Sequence, residues 1–499
     1  MNMLSNEKVN FKSLEENIFK EMMKLGREII QEELRMLDKL ILDYRDKEIF
    51  VPKDFQPTTI KTKLGEIPIA RRRYKMVING KCNMIYLLDE LLEINDFGLY
   101  SQGIVEMVAR EITKKSYRET AKTISEDTDN AISHTAVRNI VLKLGKKIKK
   151  IEEEKIKLYE EGKIEGNKES EYIFCEHDGI YVKKQKSKKH KGKKKFKVKH
   201  FKKKKGKKKK NGIELKIAVI HEGKEPRYTN DYKLKNKIIV GTASKAKDLK
   251  KIEDATIGTT YKEYKIKKVV INGDGADWTG SIVEGAKEIF QLDMAHIQKK
   301  IYKAINDEEY LKKMQDIVYT EQAKEIFNLI YNYKVELEAD KKTEELEKVK
   351  ELEEYLRNNE EGLLRYQYRL GYKEEEIEKY KEELPSLGSE ESHMYCVCRD
   401  RMKRNRTSWS VKGAEALLKV IMDKMNGTID EIITKKAERK IKEELASRIP
   451  EPKVVKKTKE NKIVYAGRYE IASNFTGSTK KYIIDLLKDK KCSELMLIN

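Results

Sequence analysis

Two aspartates, each followed by glycine, lie where the sequence predicts β-strands. Asp178 lies inside the strand-like segment 171–184, and Asp274 directly follows the apolar segment 267–273. Active-site groups of open α/β sheets gather at strand ends, and a carboxylate among apolar residues is costly unless its charge is compensated. Two acids on adjacent strands could bracket Mg²⁺, since this hard cation prefers oxygen ligands. Asp-Gly also marks ordinary turns. For Asp274, an ordinary turn explains the pattern as well as a metal site does. For Asp178 a turn is a weaker explanation, because strand-like residues continue directly after Gly179.

A two-metal site for phosphodiester chemistry needs a further acid. The candidates are Glu284, Asp293, Glu390, Glu391 and Glu415. Asp293 and His296 are three residues apart and could share a site near the sheet. Spacing alone favours His296 as a polar residue at the start of a helix.

The elements that must position these acids follow an α/β order. Apolar and β-branched segments predict five strands, at 171–184, 212–223, 236–243, 267–273 and 291–294. Helices are expected over 244–255, from Trp278 to about Phe290, and again from His296. Neighbouring strands followed by alternating strands and helices indicate an α/β sheet. Residues 300–384 are predicted to be all helical, because they carry many Glu–Lys pairs at i,i+4 and no strand pattern.

The first hundred residues predict helices and one β-hairpin. Segment 11–46 has an apolar stripe at helical spacing and is expected to be a helix that faces a core or forms a helical pair, with a dimer contact as the alternative. Segment 58–78 predicts a hairpin that turns near Gly65 and carries three consecutive arginines, 71–73, on its second arm.

Residues 103–148 predict a helical unit of the kind that reads DNA. A capping box begins a helix at 117–124, residues 125–130 are turn-prone, and Ser133 is a good N-cap for a second helix. The second helix would bury Ala136, Val137, Ile140, Val141 and Leu144. Its outer face would present His134, Thr135, Arg138 and Lys143, which is typical of a helix-turn-helix. The linker of about eight residues exceeds the usual 3–4, so a plain helical hairpin is the alternative.

The charge distribution points to a polyanionic partner. The chain of 499 residues has a formal net charge of +23, and residues 183–210 hold 19 lysines and no acid. A local basic block favours nucleic acid, although a solvated loop that binds nothing specific is the alternative.

The five scattered cysteines argue against a disulfide framework, and the close pair Cys396 and Cys398 lacks the second pair that structural zinc needs. With no apolar run of about 18 residues and no signal-peptide pattern, we expect a cytoplasmic protein without a membrane span.

Four segments together resemble the ISLre2 family of bacterial insertion-sequence transposases, which are UPF0236-like and related to the IS256 and Mutator transposases. The segments read CEHDGIYV, VVINGDGADW, QLDMAHIQKKI and SEESHMYCVCRDRMKRNRTSWSVKGAEAL. The likeness covers about residues 55–425. Its most specific part is Asp-Gly-Ala-x-Trp followed by Asp-x-x-His.

The resemblance implies an RNase H-like core, a mixed five-stranded sheet with helices, that carries an all-helical insertion and an Asp-Asp-Glu triad. The first two acids map onto Asp178 and Asp274, and Asp293 with His296 matches a supporting motif. The third acid maps onto Glu391. Glu390 remains the alternative, because it is adjacent and Ser392 stands where the family pattern has glycine. The triad would hold two Mg²⁺ (or Mn²⁺) ions for phosphoryl transfer on DNA.

The resemblance also implies the expected activity and partners. The protein would cleave DNA at the element ends and join the freed 3′-hydroxyl to target DNA, as a homo-oligomer assembled on DNA and associated with the nucleoid. Basic residues after the third acid would contact phosphates; these are Arg401, Lys403, Arg404 and Arg406. A solvated helix face is the alternative for them.

Two other classes of protein compete with a transposase. The first is an RNase H-like nuclease or resolvase that cuts without strand transfer. The second is a domesticated DNA-binding protein, against which the complete acid set argues.

The predicted organisation has six parts. They are an N-terminal helical and hairpin region (1–102), a helix-turn-helix-like domain (103–150), a first core segment (165–300) with a lysine-rich loop (183–211), a helical insertion (301–385), a last core segment (386–425) and a C-terminal region (426–499).

Overall fold

A computed structural model describes residues 10–78, 81–94, 97–185, 212–228, 231–280, 283, 285–388, 398–403 and 407–448. The described residues fall into two compact units. The first lies within residues 1–108, 117–140 and 446–499, and the second within 109–116 and 141–445. No helix in these described ranges combines the length and the apolar character that crossing a bilayer requires.

The first unit begins with a long helix and a three-stranded antiparallel sheet. Its elements are α1 (Phe11–Tyr44), β1 (Phe50–Thr62), β2 (Gly65–Ile78), β3 (Lys81–Ile85) and α2 (Leu87–Leu92). The predicted hairpin is confirmed, with a turn at Gly65, whose φ of +109° lies in the left-handed region that suits glycine. Its three arginines form ion pairs: Arg71 with Asp89, Arg72 with Asp38 and Arg73 with Asp54.

The prediction that the α1 stripe faces a core is wrong for the first half of the helix. Its early apolar side chains are between 46% and 66% exposed; they are Leu14, Ile18, Met22, Leu25 and Ile29. The buried positions of α1 are Leu37, Asp38 and Ile41. The apolar spacing predicted the helix correctly, but spacing does not show which turns find a partner surface.

Three further helices follow: α3 (Gln102–Ile112), α4 (Tyr117–Thr128) and α5 (His134–Glu160). Helix α4 extends past the predicted break at residue 125, because the Thr128 hydroxyl donates to the Ile124 carbonyl and Asn130 donates back to Thr128. The linker is therefore residues 129–133, shorter than expected. Ser133 caps α5 through a 3.1 Å bond from the Ala136 amide to its hydroxyl. On α5 the outer-face residues His134, Thr135, Arg138 and Lys143 are exposed, and Val137, Ile140, Val141 and Leu144 are buried.

The second unit is built on a five-stranded mixed sheet. Its strands are β4 (Tyr172–Lys183), β5 (Gly212–His221), β8 (Ile238–Thr242), β9 (Lys268–Gly273) and β10 (Glu288–Leu292), and a separate ribbon joins β6 (Lys224–Tyr228) to β7 (Asp231–Leu234). The sheet order is β10-β9-β4-β5-β8. Strands β10, β9 and β4 run parallel, and β5 runs antiparallel to β4 and β8. The α/β class and a five-stranded sheet are confirmed. Four strands lie where they were predicted, and the fifth, predicted at 291–294, is Glu288–Leu292.

Helices cover the sheet and fill the rest of the unit. They are α6 (Ala246–Thr260), α7 (Asp277–Gly280), α8 (Met294–Ala304), α9 (Glu308–Ile317), α10 (Ile326–Ala339), α11 (Thr343–Asn358), α12 (Glu360–Leu363), α13 (Tyr366–Arg369), α14 (Glu374–Lys379), α15 (Val411–Asn426), α16 (Ile429–Ile433) and α17 (Lys436–Arg448). One core cluster joins β4, β5, β8 and β9 to α6. Another joins α8 to α11.

The helix predicted from Trp278 to Phe290 is wrong. Helix α7 ends at Gly280, and Glu288–Leu292 instead forms β10. These five residues pair in parallel with β9. Pairing with a distant strand therefore determined the secondary structure of this segment, against its local sequence pattern.

Candidate active site

Three aspartates lie in one row across the parallel strands. Glu176 of β4 pairs with Asn272 of β9, and Gly273 of β9 pairs with Leu292 of β10. Continuing both registers along the chain brings Asp178, Asp274 and Asp293 side by side where β9 and β10 end. Carboxyl ends of parallel strands are where open α/β sheets bind ligands.

Asp178 and Asp274 form a half-buried pair of like charges. Burial raises the pKa of Asp178 to about 6, and the neighbouring charges of Asp274 and Asp293 raise it as well. Asp178 accepts a 2.6 Å hydrogen bond from the Gly179 amide, and Asp274 accepts one of 3.0 Å from the Ala276 amide. Within the described ranges, neither carboxylate has a lysine or arginine as an ion-pair partner. The fold therefore brings two carboxylates together without a lysine or arginine partner, and the charge of His296 only partly offsets the rise in the pKa of Asp178.

This donor set fits a divalent metal. Carboxylate oxygens are the ligands that hard cations prefer, and a cation would offset the burial and the like charge that raise the pKa of Asp178. The described part of the chain contains no group of three His, Cys, Asp or Glu side chains arranged to hold a metal. The predicted third acid, Glu391, and its alternative, Glu390, lie outside the described residues.

Asp293 anchors the helix that follows β10 and holds His296 beside the row. Its carboxylate accepts hydrogen bonds from the His296 backbone N–H (2.9 Å) and from His296 Nδ1 (2.6 Å), and Asn272 lies 3.3 Å away. Burial alone would raise the pKa of Asp293, but these hydrogen bonds hold it below its usual value. The same bond raises the pKa of His296. His296 is thus both a helix-start residue and a neighbour of the acids.

A second layer of polar residues lies under the row and was missed by the sequence analysis. Glu176, which is buried, contacts His221 Nε2 at 3.1 Å through one carboxylate oxygen and accepts the Gly388 amide at 2.9 Å through the other. Gly388 has a φ of +89°, and a Cβ there would clash with Asp293 Oδ1. Glu176 and Asn272 stand two residues before Asp178 and Asp274, so strand alternation could have placed them on the same face.

Both ends of the segment that carries Glu390 and Glu391 adjoin the aspartates. Gly388, directly before this segment, lies against the Asp293 carboxylate. At the other end, burial and the charge of Asp178 raise the pKa of Cys398 to about 12.

A tyrosine from α11 holds the turn that contains Asp274. The Tyr355 hydroxyl donates to the Asp274 carbonyl at 2.9 Å. Gly275 has a φ of +74°, and a Cβ there would meet Tyr355, Asn359 and Leu292 at 2.9 Å. No sequence pattern connects residue 355 to residue 274, so this contact could not be found from the sequence.

The other predicted residues lie apart from the row or outside the described ranges. Glu415 accepts hydrogen bonds from Thr242 and the Ala243 amide at the end of β8. Arg401 is buried and donates to the Ile112 carbonyl at 2.6 Å, which favours a structural role over the predicted DNA contact. Lys403 is exposed. Glu284, Arg404 and Arg406 lie outside the described residues. Trp409 is a core residue whose indole donates to the Met402 carbonyl.

The sequence profile of one family, described as an uncharacterised protein family (UPF0236), matches residues 4–213 and 197–440. The chain belongs to this family. It is similar to several UPF0236 proteins of Caldanaerobacter subterraneus subsp. tengcongensis. One is 28% identical over 411 residues, which cover 81% of this chain and 75% of the relative. A second is 28% identical over 414 residues, covering 81% and 76%. The name of the first relative joins eleven locus designations of that organism.

Proposed function

We propose that the protein is the transposase of a bacterial insertion sequence and cleaves and joins DNA strands by metal-dependent phosphoryl transfer. The observation that carries this proposal is the pair Asp178 and Asp274, which neighbouring parallel strands bring together without a lysine or arginine ion-pair partner in the described ranges. Such a pair is costly in a stable fold, and it becomes favourable where a bound cation uses it.

The described residues define what the chain contributes to the reaction. Asp178 and Asp274, with Glu391 as the proposed third acid, would hold two Mg²⁺ or Mn²⁺ ions. When bound, the ions supply charge stabilisation for the attacking and leaving oxygens. Asp293 orients His296, whose raised pKa favours a cationic ring beside the substrate phosphate. Glu176 and the Gly388 amide fix the start of the segment that carries the third acid.

The fold supports an RNase H-like core with a helical insertion. The five-stranded mixed sheet carries the first two acids on its central strands β4 and β9. Between β10 and the final core segment, the described elements are helices with a core of their own. The exposed outer face of α5, with Arg138 and Lys143, supports its proposed role in reading the element ends.

The relatives supply independent support. A UPF0236 protein whose name joins eleven loci in one organism indicates many copies in one genome. Copies of this kind are expected of a gene that moves with its own transposase. A nuclease or resolvase needs no such copy number.

Cleavage of a labelled element-end duplex in Mg²⁺ tests the proposal. We expect Asp178→Asn and Asp274→Asn to lower the cleavage rate at least about 1,000-fold, since a metal site supplies several kcal/mol of stabilisation and each 1.36 kcal/mol is about tenfold in rate. Glu391→Gln and Glu390→Gln identify the third acid. Asp316→Asn, an exposed acid on α9, is the matched control. Wild-type activity in either aspartate variant would overturn the proposal.

Strand joining separates a transposase from a nuclease. A pre-cleaved end with a free 3′-hydroxyl is mixed with a supercoiled plasmid and Mg²⁺. We expect covalently joined product from the wild type and none from Asp178→Asn. Cleavage without joining would assign the protein to the nuclease or resolvase class.

A further inference from the structure

Helix α8 carries a stripe of cationic residues away from the aspartate row. It begins at the Asp293 cap, and His296, Lys299, Lys300 and Lys303 follow at the spacing i, i+3, i+4, i+7, which places them on one helix face. The helix contains no acidic residue, although the helices after it are rich in glutamate. We call these four residues the α8 stripe.

The lysines of the α8 stripe are available to a ligand. All three are exposed, and in the described ranges none has an acidic side chain within 4.0 Å. Most lysines in the helices that follow α8 differ, because they do form ion pairs with acidic side chains. Seven lysines between residues 313 and 381 do have such an acid; they are Lys313, Lys324, Lys334, Lys342, Lys348, Lys350 and Lys381. Tyr302, on the same helix, is 69% exposed.

One contact ties the α8 stripe to the aspartate pair. The Lys300 ammonium lies 3.7 Å from the centre of the Tyr355 ring, a cation–π geometry. The hydroxyl of that tyrosine donates to the Asp274 carbonyl. A charge on the stripe is therefore held next to the turn that presents a reacting acid, and Lys299 and Lys303 continue the same face away from it.

We propose that the α8 stripe binds the phosphate backbone of the nucleic-acid strand that reaches the aspartate pair. Phosphate is the ligand that a row of unpaired lysines on one helix face suits, and such contacts position a strand without reading its sequence. The exposed Tyr302 supplies an aromatic face on which a base could stack. The proposal rests on the proposed function, because it takes DNA as the substrate.

Lysine acetylation with a mass-spectrometric readout tests the stripe in the full chain. The protein is treated with an acetylating reagent with and without an element-end duplex, in chelator so that no cleavage occurs. We expect bound DNA to slow acetylation of Lys299 and Lys303 at least about threefold. Lys312 and Lys341, which are exposed and lie elsewhere in the unit, should react at unchanged rates. Equal protection of all four lysines, or of none, would overturn the proposal.

A double variant tests the energetic consequence. Lys299→Gln with Lys303→Gln should weaken binding of the duplex about tenfold at 150 mM salt and reduce the slope of log K against log salt by about 2, since each phosphate contact contributes about 0.9. The control is Lys312→Gln with Lys341→Gln, which removes the same charge. An unchanged slope in the first variant would refute the stripe.

The two proposals can fail separately. If the chain binds the duplex with the expected protection but does not cleave it, the proposed function fails and the stripe stands. If cleavage requires Asp178 and Asp274 but the double variant cleaves and binds as wild type does, the stripe fails alone. Protection by an acidic peptide but not by DNA would overturn the stripe's assignment to nucleic acid.

Discussion

The paired aspartates Asp178 and Asp274 are costly to the fold when no cation is bound. Asp178 lies half-buried beside Asp274. Burial, and to a smaller extent the like charge of Asp274, raises the pKa of Asp178 to about 6. By contrast, Arg73 holds the pKa of Asp54 below its usual value through a hydrogen bond of 2.8 Å. The Asp178 carboxylate loses solvation without gaining a lysine or arginine partner in the described ranges, whereas the Asp54 carboxylate gains an arginine. This difference distinguishes a candidate ligand from a structural acid.

The stability of the chain should report this cost directly. An acid whose pKa is raised from about 3.9 to about 6 in the folded state binds its proton more tightly when folded. Its contribution to stability is therefore present below about pH 4 and is lost as the pH rises to about 6. In chelator, we expect Asp178→Asn to melt at a higher temperature than wild type at pH 7.5 and at the same temperature at pH 4.

Asp54→Asn is the control of opposite sign for this prediction. Its carboxylate has a lowered pKa, so its contribution is present above about pH 4 and is lost as the pH falls. The variant should melt below wild type at pH 7.5. A melting temperature of Asp178→Asn below that of wild type at pH 7.5 would contradict the assignment of Asp178 as an uncompensated acid.

At the scale of elements, the helices after β10 position the site as well as surrounding it. Tyr355 of α11 donates to the Asp274 carbonyl. Tyr355→Phe removes this bond and keeps the ring under Lys300, so we expect a cleavage rate about tenfold lower, since misplacing a reacting group is costly. The Mg²⁺ concentration for half-maximal rate should rise. Tyr310→Phe, which removes a hydroxyl bond to Glu336 in the same helical cluster, should leave both unchanged. Equal rates in the two variants would remove Tyr355 from the positioning residues.

Close helix packing supports the core segment that ends with α15. A Cβ at Gly145 of α5 would lie 2.5 Å from the Ala416 Cα on α15, so the two backbones leave no room for a side chain. We expect Gly145→Ala to lower the free energy of unfolding by about 1–3 kcal/mol, the usual cost of overpacking. Lys146→Ala, at the exposed neighbouring position, should be nearly neutral. Chemical denaturation of the two variants measures both values, and equal midpoints would contradict the close packing.

The same two helices share a buried ion pair. Lys419, which is 1% exposed, lies 2.6 Å from Glu152, whose side chain is 21% exposed. Burial raises the pKa of Glu152 to about 7 even with this partner. Removing the lysine leaves a carboxylate without its cation, so Lys419→Met should cost about 2–3 kcal/mol of unfolding free energy at pH 8, less than a fully buried pair loses. The cost should shrink at pH 5, where Glu152 becomes protonated. A cost that does not change with pH would contradict the ion-pair origin.

At the scale of the whole molecule, the sequence predicted the features that depend on local residue patterns but not the contacts between distant residues. The five strands and the pairing of Asp178 with Asp274 follow from apolar segments and from residues that end strands. The contacts that support the aspartates could not be predicted. Glu176 and Gly388 are 212 positions apart in the chain, and Tyr355 and Asp274 are 81 positions apart. The predicted position of strand β10 was wrong for the same reason, because this strand forms by pairing with β9, which lies earlier in the chain.

The lysine-rich loop gives a prediction for the whole chain. Its flanking residues Lys183 and Gly212 are cross-strand partners in the β4–β5 pair, so a short linker can connect the strands. Replacing residues 186–211 with a glycine–serine linker should leave the melting temperature within about 2 °C of wild type, because the ladder on both sides is unchanged. It should also remove most non-specific DNA affinity and flatten the salt dependence of binding, since most of the 19 lysines disappear. Cleavage of the element end at low salt should survive, because Asp178 and Asp274 lie on the retained strands. A large drop in melting temperature, or unchanged salt dependence, would show that the loop does not act as an independent electrostatic contact.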